Sequence, residues 1–247
     1  MPPCVRSVRR GIASAGSSSG EWRRPITFGR SSFRAATTAA VLLLLSPALR
    51  AQDRFRLELF HGTAYSAPSS LTIEQPGEDR IAFSAHWVTR RLADAPYFAA
   101  RIALWGQKTG WELQFLHHKM YLTNGPPEIE HFEITHGWNL LTIQRATHGR
   151  LLDWRVGVGP VIAHADGIIR GEDVDRGGGL FGKGYYLSGA GAIAGAGKSV
   201  KIWRGLRATA EGQATASWAR IPLFRKSGHA STANYAFHFL IGLGFGI

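Results

Sequence analysis

The chain has 247 residues, a formal net charge of +12, one cysteine and two methionines. A hydrophobic fraction of 45% with 19% charged residues excludes a disordered chain. The single Cys4 excludes a disulfide framework and any cysteine-based zinc or iron–sulfur site. No apolar run reaches about 18 residues, which excludes a bundle of transmembrane helices.

Residues 1–51 form a distinct basic leader. They contain eight arginines and one acidic residue, whereas the remaining residues carry 21 basic and 16 acidic groups. Because the basic excess is concentrated in the leader, no nucleic-acid partner is expected. The apolar run 35–49 is too short to span a membrane and is followed by Arg50-Ala51. This pattern predicts a secretory signal peptide over 1–51 and a mature domain over 52–247. A disordered N-terminus before a helix is the alternative.

After Gln52 the side chains alternate between apolar and polar with a period of two, which is typical of β-strands. The clearest runs are 55–59, 111–115, 152–159, 206–218 and 237–247. Together the runs predict eight strands, near 54–65, 97–106, 111–122, 131–144, 151–164, 185–202, 205–221 and 235–247. The connections between them alternate between short and long, with both termini at the end that has the short turns. That alternation is typical of outer-membrane barrels.

One parity of these strands is aliphatic and aromatic, and the other carries Arg, Glu, Gln or Gly. We therefore expect an all-β fold, a closed antiparallel transmembrane β-barrel of eight strands in a bacterial outer membrane. The count becomes ten if the hairpin within 70–88 joins the wall. Side chains fill the lumen of so small a barrel, which excludes a porin. Gly242, Phe245 and Ile247 resemble a terminal assembly signal, so the barrel assembly machinery is an expected partner.

The alternation also predicts which way each side chain points. The expected outward set is Phe55, Leu57, Leu113, Phe115, Trp154, Val156, Phe239, Ile241 and Phe245. The expected inward set is Arg56, Glu58, Arg101, Glu112, Gln114, Glu133, Asp153, Arg155 and Glu211, in which opposite charges are plentiful. Ion pairs that fill the lumen are the simplest interpretation of the inward set.

The run 192–199, ending in Gly197-Lys198-Ser199, matches a loose phosphate-loop pattern. A phosphate loop needs a strand before it and a helix after it. This run instead lies within a strand-like segment and continues into Val200 and Ile202. We therefore interpret it as a barrel-wall strand of small residues.

Several histidines share the outward parity near the predicted outer rim. The apolar residues around them place His61, His117 and His164 outward, and Ile134 and Trp138 place His136 outward by the same reasoning. His117, His136 and His164 belong to three consecutive strands, and Lys119 and Tyr121 share the parity of His117. Such residues form either a girdle that binds glycolipid headgroups or an active site that acts on them. A divalent metal ion held by imidazoles is one option for such a site.

Two stretches of this region also resemble a known family. They are Trp111-Glu112-Leu113 with Phe115, His117, Lys119 and Tyr121, and His131-Phe132-Glu133 with Thr135, Gly137 and Asn139-Leu140-Leu141-Thr142. Both are similar to the bacterial lipid A oxidases, which are small outer-membrane barrels, and the similarity covers about residues 95–220. His136 stands where that pattern has an acidic residue.

The resemblance implies oxygen-dependent oxidation of the proximal glucosamine of lipid A, with lipopolysaccharide as the partner. The candidate catalytic residues are His117, Lys119, His136 and His164, and the candidate substrate-binding residues are Tyr121, His131 and Glu133. A non-enzymatic barrel for envelope integrity or adhesion is the alternative function. A soluble ligand-binding barrel would need its apolar parity turned inward, and the charged inward set argues against it.

Overall fold

The computed structural model describes residues 54–92, 96–175, 177–224 and 228–247. The predicted leader lies outside the described residues. No helix within these ranges is long and apolar enough to cross a membrane. The strands are β1 (Phe55–Ser66), β2 (Ser69–Glu74), β3 (Ile81–Ala85), β4 (Trp87–Val88), β5 (Phe98–Trp105), β6 (Thr109–Leu122), β7 (Ile129–His148), β8 (Asp153–Ala163), β9 (Asp166–Ile169), β10 (Glu172–Asp173), β11 (Tyr186–Trp203), β12 (Leu206–Leu223) and β13 (Gly228–Gly246).

Eight of these strands close into an antiparallel ring in the order β1, β5, β6, β7, β8, β11, β12 and β13. The first and last strands close it over a long register that runs from Arg56↔Gly246 to Ser66↔Ala236. Closure matters because it leaves none of these strands with an unpaired edge. The predicted eight-stranded barrel is confirmed, and the phosphate-loop-like run 192–199 lies inside β11.

The outside of the ring is apolar and its lumen is polar. The predicted outward residues are exposed, with Phe115 partly so, and Arg56, Glu58, Glu112, Arg155 and Glu211 are buried. The predicted directions of these residues are therefore confirmed. Exposed Leu, Ile, Val, Phe and Trp side chains form a belt around the barrel, as a lipid environment requires.

An ion-pair cluster fills the lumen at the level of this belt. Arg101 contacts Glu58 at 3.4 Å, Glu112 at 3.5 Å and Glu211 at 2.8 Å. Arg155 contacts Glu112 at 2.9 Å and also pairs with Glu211. All five side chains are at most 5% exposed, so the cluster links strands from opposite sides of the ring across a closed lumen.

Beyond this level the barrel wall continues outward as a second tier, which we call the outer tier. Its interior is apolar and its outer surface is polar. The β2–β3 hairpin pairs with the outer end of β13, β4 pairs with the end of β6, and β9 pairs with the start of β7. The interior of this outer tier is a hydrophobic core that includes Leu71, Ile73, Trp87, Met120, Phe132, Ile134, Trp138, Ile169, Ile221 and Phe224. The 70–88 hairpin therefore builds the outer tier and does not add strands to the ring.

The outer tier corrects three predicted directions on β7. Ile134 and Trp138 were expected outside, but they are buried in the core at 0% and 2% exposure. Glu133 was expected to face the lumen. Its neighbour Phe132 occupies the core instead, so Glu133 lies on the outer face, where its carboxylate pairs with His131. The reason is physical: where water replaces lipid around the wall, apolar side chains turn inward.

Candidate functional site

An irregularity between β6 and β7 creates the candidate site. His118 pairs with Trp138 and Met120 pairs with Ile134, so Lys119 faces the three residues 135–137. The extra residues form a bulge, and bulges often redirect side chains next to functional sites. His136 is exposed because it lies on this bulge. Its outward direction was predicted from the alternation along the strand, which is not the reason for its exposure.

One register row crosses the outer face just beneath the bulge. His61 pairs with Phe98, Phe98 with His117, His117 with Asn139, and Asn139 with Ile162. Paired residues of neighbouring strands point to the same face of a sheet. At this row the lining of the barrel interior changes from the polar Gln114 to the apolar Leu116. The apolar belt on the outside of the barrel ends at the same level.

His117 is held by its two neighbours in this row. Its ring stacks on Phe98 with the centroids 5.2 Å apart, and its Nδ1 lies 2.7 Å from Asn139 Oδ1. The Asn139 amide nitrogen points towards the carbonyl oxygens of His136 and Gly137 at 3.5 and 3.4 Å, which turns Oδ1 to His117. Since Oδ1 can only accept, we assign the donated proton to Nδ1.

The other nitrogen of His117 is then an unprotonated acceptor. Nε2 is buried and has no hydrogen-bond partner among the described residues. A buried acceptor without a partner is uncommon in native proteins. An imidazole oriented through Nδ1 with a free Nε2 has the arrangement of a general base.

His136 and His164 stack next to this pair. Their ring centroids are 4.7 Å apart, and His164 also meets the Tyr185 ring edge-on at 5.3 Å. His164 Nε2 lies 3.5 Å from Asp175 Oδ1. Both His136 and Lys119 are within charge-interaction range of the His117 ring. The four residues predicted as catalytic candidates therefore lie near one another.

His164 lies between β8 and β9, outside the ring strands. Burial lowers the pKa of its imidazole below the usual value of about 6.5, and His136 lowers it further. Asp175 and Asp166 act in the opposite direction without reversing the shift. His164 is consequently neutral at neutral pH, which allows it to stack on His136 without charge repulsion.

An apolar cavity of about 390 Å³ adjoins His117, His136 and Asn139 on the outer face of the barrel. Its other walls are Phe98, Phe115, Ile162, Leu180, Phe181 and Tyr185. Leu180 and Phe181 belong to the glycine-rich segment 177–184, and Phe181 is 92% exposed with a φ of 60°. The cavity thus combines an apolar floor continuous with the belt and a rim of imidazole and amide groups.

The predicted substrate-binding residues lie farther out along the same face. Tyr121 pairs with Glu133, whose carboxylate lies 3.0 Å from His131 Nε2. Tyr121 is 4% exposed and His131 lies at the surface. These residues extend the site from the cavity towards the tip of the outer tier.

The described residues contain no group of three or more His, Cys, Asp or Glu side chains arranged to hold a metal ion. The divalent metal considered from the sequence therefore has no evident ligand set in this part of the chain. The chemistry carried by the described side chains is proton transfer at His117, supported by Asn139.

Two residues of the quoted motif contribute to the site but were not predicted as site residues. Asn139 orients His117, and Gly137, with a φ of 121°, permits the backbone that brings Asn139 there. Gly137 within a strand-like run was the available signal, because an isolated glycine in a strand often marks a bulge. Phe181 lies in a loop where no periodic pattern pointed to it.

No protein-family model matches the chain, and no curated protein matches its sequence. The similar solved structures include the outer membrane protein AlkL in lipid bilayers, at 11% identity and a TM-score of 0.47, covering 82% of this chain and 95% of that chain. OprG from Pseudomonas aeruginosa has 12% identity and a TM-score of 0.43 over 79% of this chain and 97% of that chain. Neisserial surface protein A has 9% identity and a TM-score of 0.37 over 78% and 97%.

Similarity at this level adds no argument about activity or substrate. The architecture itself is decisive for location, because a closed ring with an apolar belt and a polar, filled lumen fits only a lipid environment. The chain is an outer-membrane β-barrel.

Proposed function

We propose that this barrel is an enzyme that modifies the headgroup of lipid A at the outer rim of the membrane. The observation that carries the proposal is the His117–Asn139 pair, with its unpaired Nε2, beside an apolar cavity on the lipid-facing side. A girdle that only binds headgroups has no need for a buried imidazole whose second nitrogen lacks a partner.

The position of the cavity favours a membrane lipid as substrate. A lipid in the outer leaflet can place acyl chains against Phe98, Phe115 and Ile162 while its sugar reaches His117. The lumen cannot admit such a molecule, because the ion-pair cluster and the apolar core fill it. The substrate therefore approaches from the side of the barrel.

The reaction that we propose is the one implied by the resemblance, oxidation of the proximal glucosamine to aminogluconate by dioxygen. His117 Nε2 takes the proton of the hydroxyl on the reacting carbon, and Asn139 holds the imidazolium that results. The hydrogen on that carbon leaves with its electron pair to dioxygen, which is released as hydrogen peroxide after taking up the proton. Water then opens the resulting lactone to the acid.

Mass spectrometry of lipid A from cells that express the wild type or a variant tests this function. The wild type should add one oxygen atom to the proximal sugar in aerated cultures and none without dioxygen. His117→Ala should lower the rate of modification by about 10²–10⁴-fold, the usual contribution of a general base, so that little modified lipid A accumulates. Asn139→Ala should also lower it, because the imidazole loses its orienting partner.

The matched control is His229→Ala. His229 lies on the outer tip, 3.4 Å from Glu74, away from the cavity. This variant should modify lipid A as the wild type does. Unmodified lipid A with the wild type would refute the enzyme and favour the non-enzymatic barrel. Full modification by His117→Ala would refute the role of this histidine as base.

A further inference from the structure

An arginine lies among the apolar side chains of the belt, towards the end of the barrel that has the short turns. Arg145 on β7 is exposed on the outer face, two residues from Ile143 and two from Thr147. Across the sheet it pairs with Trp111 on one side and with Val156 on the other. None of these four neighbours is acidic, so the protein gives this lipid-facing cation no counter-charge there. A cation on the lipid face is costly unless an anion from the membrane meets it.

The Arg145 guanidinium is turned towards the periplasmic end, where the short turns of such barrels lie. It lies 5.0 Å from the centroid of the Trp111 ring, and its Nη2 donates to Thr109 Oγ1 at 2.6 Å. Thr109 is the first residue of β6, next to a short turn. Asn139, at the outer boundary of the belt, is six residues away, about 20 Å along the tilted strand. Because the belt of such barrels is about 25 Å tall, the guanidinium lies near the headgroups of the inner leaflet.

An apolar cavity of about 680 Å³ adjoins Arg145 on the same lipid-facing side. Trp111, Ile143 and Val156 line it next to Arg145, and its floor on β11 and β12 consists of small side chains that include Ala192, Ala194, Ala214 and Ala216. Exposed aromatic rings follow on β13, where Phe237 pairs with Ala214. The floor is therefore a depression between bulkier side chains, and a hydrocarbon chain gains dispersion contacts by filling it.

The turns below this cavity carry mostly positive charge. Lys108 and Arg150 lie in the two neighbouring short turns, and Lys198 Nζ donates to the Leu151 carbonyl oxygen at 3.0 Å. The acidic residue beside these turns is Asp153, whose carboxylate is engaged by His148 at 2.8 Å. A net positive rim favours a lipid with a net negative headgroup over a zwitterionic lipid, whose ammonium group would meet further cations.

We propose that Arg145, Trp111 and the adjoining cavity form a binding site for one anionic phospholipid of the inner leaflet, with phosphatidylglycerol as the model ligand. The lipid phosphate accepts hydrogen bonds from the Arg145 guanidinium, whose planar fork suits phosphate oxygens. An acyl chain of the same lipid lies on the alanine floor of the cavity. The site is at the opposite membrane boundary from His117 and does not depend on the proposed enzyme.

Native mass spectrometry of the folded protein, released from zwitterionic detergent micelles, tests the site. The probes are phosphatidylglycerol and phosphatidylcholine with identical acyl chains, added singly at equal concentrations. The wild type should retain one phosphatidylglycerol about tenfold more tightly than phosphatidylcholine. Arg145→Gln should abolish this preference, whereas Arg145→Lys should retain part of it. The gel shift between folded and unfolded barrel checks that each variant is folded.

Two control variants separate the charge from the shape of the site. Arg220→Gln removes an exposed arginine on the outer tip, 3.3 Å from His229 Nδ1, and should retain both lipids as the wild type does. Ala194→Leu fills the cavity floor and should weaken retention of both lipids while the preference persists. Ala208→Leu is its control, because Ala208 pairs with the exposed Leu243 outside the cavity and should behave as the wild type.

Three results would overturn the site. The first is equal retention of the two lipids by the wild type, or an unchanged preference in Arg145→Gln. The second is displacement of phosphatidylglycerol by inorganic phosphate at the same concentration, since free phosphate cannot fill the cavity. The third is a protein dimer that is lost in Ala194→Leu, which would assign the cavity to a second copy of the chain. The readout is lipid retention, so the outcome is independent of lipid A modification.

Discussion

Gly137 determines whether Asn139 can reach His117. Its φ of 121° lies in a region that residues with a Cβ rarely adopt. A Cβ at this position would stand 2.6 Å from Asn139 Cγ, far inside van der Waals contact. The glycine is therefore needed both for the bulge of β7 and for the side chain that orients the candidate base.

Gly137→Ala should reduce lipid A modification to about the level of Asn139→Ala, since the added methyl group displaces the amide from His117. The control is Gly171→Ala, where φ is 70° and no atom lies within 4 Å of a built Cβ. Gly171→Ala bears the left-handed backbone cost of about 1–2 kcal/mol away from His117 and Asn139, so it shows whether a strained glycine substitution lowers activity by itself. Mass spectrometry of lipid A measures the effect. Wild-type modification by Gly137→Ala would contradict this account.

At the scale of elements, Arg101 on β5 joins three other strands of the ring. Its partners Glu58, Glu112 and Glu211 come from β1, β6 and β12. Removal of the guanidinium would leave three buried carboxylates with Arg155 as their remaining neighbour in the cluster. Such uncompensated charge is costly where the wall excludes water.

Arg101→Ala should lower the free energy of unfolding by about 3–5 kcal/mol, the usual cost of breaking a buried ion pair on one side. Ile102→Ala on the same strand is the control, because Ile102 is 44% exposed on the outer face. Urea unfolding in detergent micelles, followed by the gel shift between folded and unfolded barrel, gives both values. A loss in Arg101→Ala no larger than in Ile102→Ala would show that the cluster contributes little stability.

The sequence was sufficient to predict the eight-stranded ring. Strands such as β1 and β13 alternate with a period of two, and lipid surrounds them over the length that forms the ring. It was insufficient for the outer half of β7. A period of two identifies two faces, but which face is buried depends on whether lipid or water surrounds the strand. Ile134 and Trp138 were assigned to the lipid side for that reason. His136 was placed correctly only because the bulge compensated for this error.

For the whole molecule, the two tiers close the lumen by different means. Ion pairs around Arg101 fill the lower tier, and a hydrophobic core that includes Phe132 and Trp138 fills the upper one. An eight-stranded wall leaves little space besides these side chains. A molecule crossing the barrel would have to disrupt both layers.

The purified protein should therefore give no stepwise conductance in planar lipid bilayers at neutral pH, even at high protein concentration. Current recordings with a known porin in the same bilayers provide the positive control. Discrete, reproducible conductance steps from this protein would mean that the packed lumen opens, and would contradict the side-entry route proposed for the substrate.

The reversal of polarity between the tiers also fixes the depth at which the barrel sits in the bilayer. A displacement outward by two residues, about 7 Å, would expose part of the apolar belt to water. An equal displacement inward would bring the polar groups around His136 and His164, which lie within two residues of the boundary, into hydrocarbon. Both movements are unfavourable, so a thinner or thicker bilayer must adjust to the protein. His117 and Asn139, at the boundary, therefore remain level with the lipid headgroups whatever the membrane thickness.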